Sequence, residues 1–373
     1  MVEWKCLRDV CNVLNGYSFK SQEYVPEGIR VIRISDVQSG YISDKDKVFY
    51  PIEKLPEYKR YLLQKGDLVM SLTGNPGRVA LIIEESCALN QRVACLRAKH
   101  TSNSYLYYLF NNRDFELIAF ANSTGGAQKN LSTTWLNNYK IPIPSLSEQT
   151  RIVEILDTFT TSIENLKQQI AERRKQYEHY RDQLLDLEGK KGVERNVLKS
   201  ICEVINGRAY SQPELLSQGK YRVLRVGNFF SNDSWYYSDL ELEEKYYCET
   251  GDLLYAWSAS FGPHLWEEEK VIYHYHIWKM NCGERINKKY MYYWLQSEDM
   301  KRQAFSNLHG ATMAHLTKVL MESLKVPVPS LSEQSRIVSI LDTFQASIAN
   351  LEAQLELREK QYEYYRNKLL TFE

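Results

Sequence analysis

Residues 141–185 read IPIPSLSEQTRIVEILDTFTTSIENLKQQIAERRKQYEHYRDQLL, and residues 326–370 read VPVPSLSEQSRIVSILDTFQASIANLEAQLELREKQYEYYRNKLL. The blocks start 185 positions apart and share 29 of 45 residues, so the chain is a tandem duplication. Each copy opens on extended backbone, because Pro142 and Pro144 exclude helix there. Ser145 with Glu148, and Ser330 with Glu333, have the spacing of a capping box. Apolar residues then recur three and four apart. In the first copy they are Ile152, Leu156, Phe159, Ile163, Leu166, Ile170, Tyr177, Tyr180 and Leu184. In the second they are Ile337, Leu341, Phe344, Ile348, Leu351, Leu355, Tyr362, Tyr365 and Leu369. Arg173 and Arg358 are the matching interruptions. This is a heptad seam. It predicts two helices of about 40 residues, each roughly 60 Å long.

Such a stripe must be covered. Equal length and matched register favour pairing of the two helices within one chain, antiparallel, with a globular segment between them. Two separate coiled coils that mediate oligomers are the alternative.

The segments ahead of the two blocks are far less alike, yet they share a frame. Asn15 and Gly16 answer Asn206 and Gly207. Residues 29–33 answer 221–225, Gly66 and Asp67 answer Gly251 and Asp252, and 124–132 answer 309–317. Each half is a variable globular part followed by a nearly constant one. One part is free to differ; the other must fit something common to both halves. The divisions fall at 1–141, 142–188, 189–193, 194–326 and 327–373. Gly189, Lys190, Lys191 and Gly192 end the first helix and open a linker. Stretches 31–34, 68–72, 79–83, 93–96, 223–226, 253–257 and 271–278 are strand-like. Stretches 105–110 and 291–295 look like parts of amphipathic helices. The expected fold is α+β: two similar mixed α/β domains separated by two long antiparallel helices in an intramolecular coiled coil, with pseudo-two-fold symmetry.

The 373 residues carry 47 basic and 47 acidic side chains. Residues 1–140 hold 18 basic against 14 acidic, and residues 194–325 hold 16 against 17. The positive balance usual for nucleic-acid binding is therefore confined to the first globular part. Seven cysteines, at 6, 11, 87, 95, 202, 248 and 282, form no C-x-x-C pair and read as reduced structural thiols. No apolar run reaches membrane-spanning length and the N-terminus has no signal-like segment, so the expectation is a cytoplasmic protein. There is no P-loop, no G-x-G-x-x-G after a strand, no Asn-Pro-Pro-aromatic or Asp-Pro-Pro-Tyr tetrapeptide, and no defensible carboxylate pair. His274 and His276 lack an evident third ligand, so 271–278 reads as a strand with one aromatic-polar face and no metal is expected. The chain reads as non-catalytic.

Polar loops remain. Thr73, Asn75 and Arg78 lie on a Gly/Pro-rich turn, Gln91 and Arg92 follow a strand, and Gln128, Lys129 and Asn130 follow a glycine pair. Arg can take guanine bidentately, and Asn or Gln can take adenine. The matching places in the second half hold Ser258, Ser260, His264, Thr312, Met313 and His315. Lys20, Arg33 and Ser35, with Arg208, Arg225, Asn228 and Lys318, complete a candidate DNA-contacting set. The side chains differ where the frame is the same, as expected of two readers of different sequences.

The doubled phrase [IV]-P-[IV]-P-S-L-S-E-Q-x-R-I-V-x-I-L-D resembles the specificity subunits of type I restriction–modification systems, whose conserved regions open on Pro-x-x-x-Glu-Gln. Here that phrase runs from Pro144 to Gln149 and from Pro329 to Gln334. The Gly-Asp strand and the Gly-x-x-x-x-x-Leu loop match as well, and the resemblance covers essentially the whole chain. It implies two target-recognition domains that each read one half of a split double-stranded DNA target. It also implies two methyltransferase subunits bound to this chain and restriction subunits recruited through that complex. S-adenosylmethionine and ATP would then sit on the partners, with no cofactor on this chain. A coiled-coil protein adaptor is the rival reading.

Overall fold

The computed structural model describes residues 2–84, 86–126, 128–230, 232–258, 261–305 and 316–372. Ser260, Thr312, Met313 and His315 lie outside them. The chain divides into two compact units, Met1–Leu166 with Gln354–Glu373, and Lys167–Ala353. Two helices of 40 residues, Leu146–Leu185 and Leu331–Leu370, each contribute to both units.

In the first unit a head is closed by antiparallel pairing of Glu3–Cys6 with Lys140–Ile143. One four-stranded sheet has the order Cys11–Asn15, Val93–Ala98, Leu68–Ser71, Val79–Leu81. The other runs Phe49–Tyr50, Ile29–Ile32, Cys87–Leu89, Leu62–Leu63, with Ile29–Ile32 and Cys87–Leu89 parallel. The second unit repeats this topology. Glu194–Val197 pairs with Lys325–Val328. The sheets are Cys202–Asn206, Ile277–Cys282, Leu253–Ala256, Gly262–Leu265 and Tyr236–Ser238, Tyr221–Leu224, Val271–Tyr273, Tyr247–Cys248. Leu68–Ser71 and Leu253–Ala256 are buried at every position, which explains why they read as unbroken apolar runs. Each follows a glycine in the left-handed region, Gly66 (φ 89) and Gly251 (φ 91). The next residue, Asp67 or Asp252, accepts the main-chain N–H of Gln64 or Glu249 and fixes that turn.

The repeated phrase joins each helix to its head. Gln149 and Gln334 are almost wholly buried. Gln149 Oε1 accepts the Thr101 hydroxyl at 2.7 Å and the Ser102 N–H at 3.2 Å, while its amide donates to the Pro144 carbonyl at 3.0 Å. Gln334 Oε1 accepts the Asn287 N–H at 2.8 Å; its amide donates to the carbonyls of Pro329 (2.8 Å) and Arg285 (3.0 Å). Ser145 and Ser330 cap the N–H of Glu148 and Glu333 at 3.3 Å. The reciprocal half of the expected capping box is absent, because Glu148 and Glu333 instead make bidentate pairs with Arg151 and Arg336. Tyr105 and Tyr290 donate to the carbonyls of Pro142 and Pro327 at 2.9 and 2.8 Å. Tyr108 and Tyr293 donate to Asp157 and Asp342 on the helices at 2.5 and 2.6 Å.

The seam does two jobs. Ile152 and Leu156, like Ile337 and Leu341, are buried in the cores of their own heads, because the first turns of each helix dock there. Further along, the helices meet each other inside each unit. In the first unit Phe159 stacks on Tyr365 at 5.3 Å with Arg358 over the Phe159 ring. In the second, Phe344 stacks on Tyr180 at 5.4 Å with Arg173 over the Phe344 ring. Arg174 pairs with Glu352 while Tyr177 meets Gln345, so the strands of the pair run antiparallel. The two arginines that interrupt the apolar repeat thus cover aromatic faces. Ile163, Ile170 and Tyr177 are buried; Leu166, Ile348, Leu351, Leu355 and Tyr362 are half-buried.

Two further sequence expectations need correction. Residues 271–278 are not one strand: Val271–Tyr273 and Ile277–Cys282 belong to different sheets, with a turn between them. The first helix ends at Leu185, ahead of Gly189, since Leu187 turns inward and is buried. Among the described residues, no helix is long and apolar enough to cross a membrane.

Candidate nucleic-acid interface

In the first head the chain crosses from one sheet to the other at Gln91 and Arg92. Main-chain bonds hold this crossing. Tyr17 N–H donates to Leu89 O at 2.8 Å, Gln91 N–H to Tyr17 O at 2.9 Å, and Leu72 N–H to Arg92 O at 3.1 Å. Gly16 is required beside it: a Cβ there would lie 2.1 Å from Asn90 O. The loop carrying Gln128 and Asn130 is strapped alongside by Gly74 N–H to Lys129 O (2.9 Å) and Leu131 N–H to Leu72 O (2.7 Å). The result is an open cleft of about 360 Å³ lined by Leu72, Thr73, Gln91, Arg92, Gln128 and Asn130.

Five candidates therefore converge on one surface, and hydrogen bonding separates them. The Thr73 hydroxyl donates to Asn130 Oδ1 at 3.0 Å, which leaves the Asn130 amide donors outward. Gln91 and Arg92 are exposed, and among the described residues neither side chain has a hydrogen bond or ion pair. Lys129 lies over the exposed Phe120 ring at 5.3 Å. Asn75 and Arg78 point elsewhere, into a second cleft of about 540 Å³ shared with Glu116, Tyr362 and Arg366. Arg78 Nη1 donates to Gln38 at 2.9 Å.

The remaining candidates differ in how far the fold engages them. Arg33 and Ser35 both bond to Asp36, and Arg33 also reaches the Asp46 carbonyl. Lys20 is exposed and 3.8 Å from Glu23. In the second head Arg208 pairs with Glu214 at 2.6 Å. That guanidinium, with the Ser211 N–H and hydroxyl, holds the Glu214 carboxyl down to about 2. Asn228 caps Arg225 N–H at 3.0 Å and donates to the carbonyls of Asn232 and Ser234. Arg225 is exposed and lies over the Tyr236 ring at 5.2 Å. Ser258 is half-buried beyond Leu253–Ala256. His264 stacks flat on Phe229 at 3.9 Å, and burial lowers its pKa to about 4. Lys318 opens a short helix and sits 3.6 Å from Glu322.

The place in the second head that matches Gln91 and Arg92 holds Tyr275 and His276. They occupy the turn inside 271–278, which the strand reading concealed. The repeated Asn-Gly was the available signal, since Gly207 lies against His274 O as Gly16 lies against Asn90 O.

Two heads of one topology, each docked on a long helix, define a two-headed binding protein whose exposed polar turns suit the edges of base pairs. The family profile for the type I restriction modification DNA specificity domain matches residues 1–173 and 190–358, and the chain belongs to that family as a non-catalytic DNA-recognition subunit. It is 29% identical to a Haemophilus influenzae open reading frame named as a type I restriction enzyme specificity subunit, across 100% of this chain and 96% of that one. It is 30% identical to the EcoR124I/EcoR124II specificity subunit of Escherichia coli, over 77% of this chain and 75% of that one. The solved S subunit from M. genitalium has the same fold, with a TM-score of 0.62 at 16% identity, over 100% of this chain and 97% of that one. So does a chain from a study of type I restriction–modification complex assembly, with a TM-score of 0.64 at 18% identity, over 99% and 96%.

Proposed function

We propose that the chain reads a bipartite DNA target, one half-site per head, and scaffolds two methyltransferase subunits that in turn recruit restriction subunits. S-adenosylmethionine and ATP would act on those partners. One observation carries this reading: the two heads repeat the same backbone frame while their outward loops carry different side chains. Identical frames with different chemistry suit two readers of unlike sequence. The near-neutral second head leaves more of the phosphate contact to partner subunits.

The long helices then act as a spacer. One heptad spans about 10 Å, or roughly three base pairs at ~3.4 Å each. Adding seven residues to both helices should lengthen the unspecified gap and leave both half-sites unchanged. Methylome sequencing of a host carrying the variant with its methyltransferase reads this directly. Altered half-sites with an unaltered gap would refute the spacer. Replacing residues 1–140 with the corresponding domain of another family member should change one half-site only.

A further inference from the structure

The crossover turn of the first head recurs in the second bond for bond. Arg208 N–H donates to Tyr273 O (3.1 Å), as Tyr17 does to Leu89 O. Tyr275 N–H donates to Arg208 O (3.0 Å), as Gln91 does to Tyr17 O. Ile277 N–H donates to His274 O and Val93 N–H to Asn90 O, both at 2.9 Å. Trp257 N–H donates to His276 O and Leu72 N–H to Arg92 O, both at 3.1 Å. A Cβ at Gly207 would lie 2.4 Å from His274 O, the counterpart of the approach at Gly16. Positions 275 and 276 are therefore the same places on the same backbone as 91 and 92, although the residues at these positions themselves share no identity.

Their chemistry is different. Gln91 and Arg92 present an amide and a guanidinium. Tyr275 is 40% exposed, and among the described residues its hydroxyl has no hydrogen-bond partner. Its ring packs on His276 at 4.0 Å and on His274 at 4.4 Å. The Trp257 indole N–H donates to Tyr275 O at 2.8 Å and buttresses the turn from below. A rigid aromatic pair stands where the first head carries two long polar side chains.

We infer that Tyr275 and His276 are specificity-determining residues of the second head, standing where Gln91 and Arg92 stand in the first. The two heads thus read bases with different chemistry from one shared position. The first donates hydrogen bonds to base edges, of the bidentate kind Arg makes with guanine. The second presents an aromatic face to the apolar edge of a base, as in contact with a thymine methyl, with the imidazole as its polar component. This assignment rests on the bipartite reading proposed above.

The test uses the chain assembled with its methyltransferase subunits. The probes are duplexes of the motif found by methylome sequencing of the wild-type complex, together with every single-base variant of each half. Gln91→Ala with Arg92→Ala should reduce cognate-over-variant discrimination at one or two base pairs of one half by about 5- to 100-fold. The other half should be untouched. Tyr275→Ala with His276→Ala should do the same to the other half. Arg92→Lys keeps the charge but loses the planar fork. It should retain DNA binding and still lose discrimination, which separates base reading from a folding defect. The assignment is overturned if a double variant weakens methylation equally at all sequences, or leaves discrimination in both halves intact. A wild-type complex that methylates no split motif would instead sink the bipartite reading, so the two failures are distinguishable.

Discussion

Gln334 offers the sharpest test of how the repeated phrase works. Its side chain is wholly buried and serves three main-chain groups: the Asn287 N–H and the carbonyls of Pro329 and Arg285. Gln334→Leu keeps the volume and strands all three. A stranded buried polar group costs about 1–3 kcal/mol. Arg285 and Pro329 line an open cleft that water can enter, so the total should fall at the low end, about 3–5 kcal/mol. For a unit of this size that lowers the melting temperature by on the order of 10 °C. Gln334→Glu is the companion variant. It keeps the acceptor for Asn287 but sets a carboxylate oxygen against two carbonyls. Burial and that repulsion raise the introduced carboxyl's folded-state pKa above its unfolded value of about 4.3. The folded state then binds a proton more tightly than the unfolded, so the deficit should shrink as pH falls from 7 towards 5. Scanning calorimetry gives the melting shift. Hydrogen exchange at Asn287 and the first turn of Leu331–Leu370 localises it without assuming a single unfolding transition. A Leu variant that melts with the wild type and keeps its protection would refute the reasoning, as would a Glu variant whose deficit is independent of pH.

Three further outcomes are expected. His264 and His274 are both held near 4 by burial, well below the unfolded value of 6.5. Their contribution is therefore complete above pH 6.5 and is lost as pH falls towards 4; urea melts at stepped pH should show less acid loss in His264→Phe than in wild type. Gly207→Ala forces a Cβ to 2.4 Å from His274 O. It should cost about 1–3 kcal/mol and weaken methylation through one half-site only, read by the same duplex series. Tyr293→Phe removes the hydroxyl that donates to Asp342 at 2.6 Å and should cost about 1.5–3 kcal/mol, since that acceptor is charged. A Tyr293→Phe melt matching the wild type would show that the hydroxyl does not fasten helix to head.

The duplication, both long helices and their antiparallel pairing were legible because each rests on local patterning: a proline pair, a cap and a heptad. The docking of Ile152 and Ile337 into the heads was not legible, because a heptad position looks the same whether it faces a helix or a sheet. The 271–278 stretch misled for a similar reason. An apolar run broken by His274, Tyr275 and His276 fits alternation, whereas the turn is set by distant main-chain partners at Arg208 and Trp257. Arg33 and Arg208 carry the right chemistry for bases, but the nearby carboxylates of Asp36 and Glu214 claim them, and a carboxylate close in sequence does not by itself say whether the backbone will bring it onto the guanidinium.

The crossover turns are anchored by carbonyls, amides and a glycine, none of which depends on what projects from positions 91, 92, 275 and 276. Exchanges at the exposed positions 91, 92 and 275 should leave stability within about 0.5 kcal/mol, so a lineage can try new target words one codon at a time without weakening the scaffold that presents them.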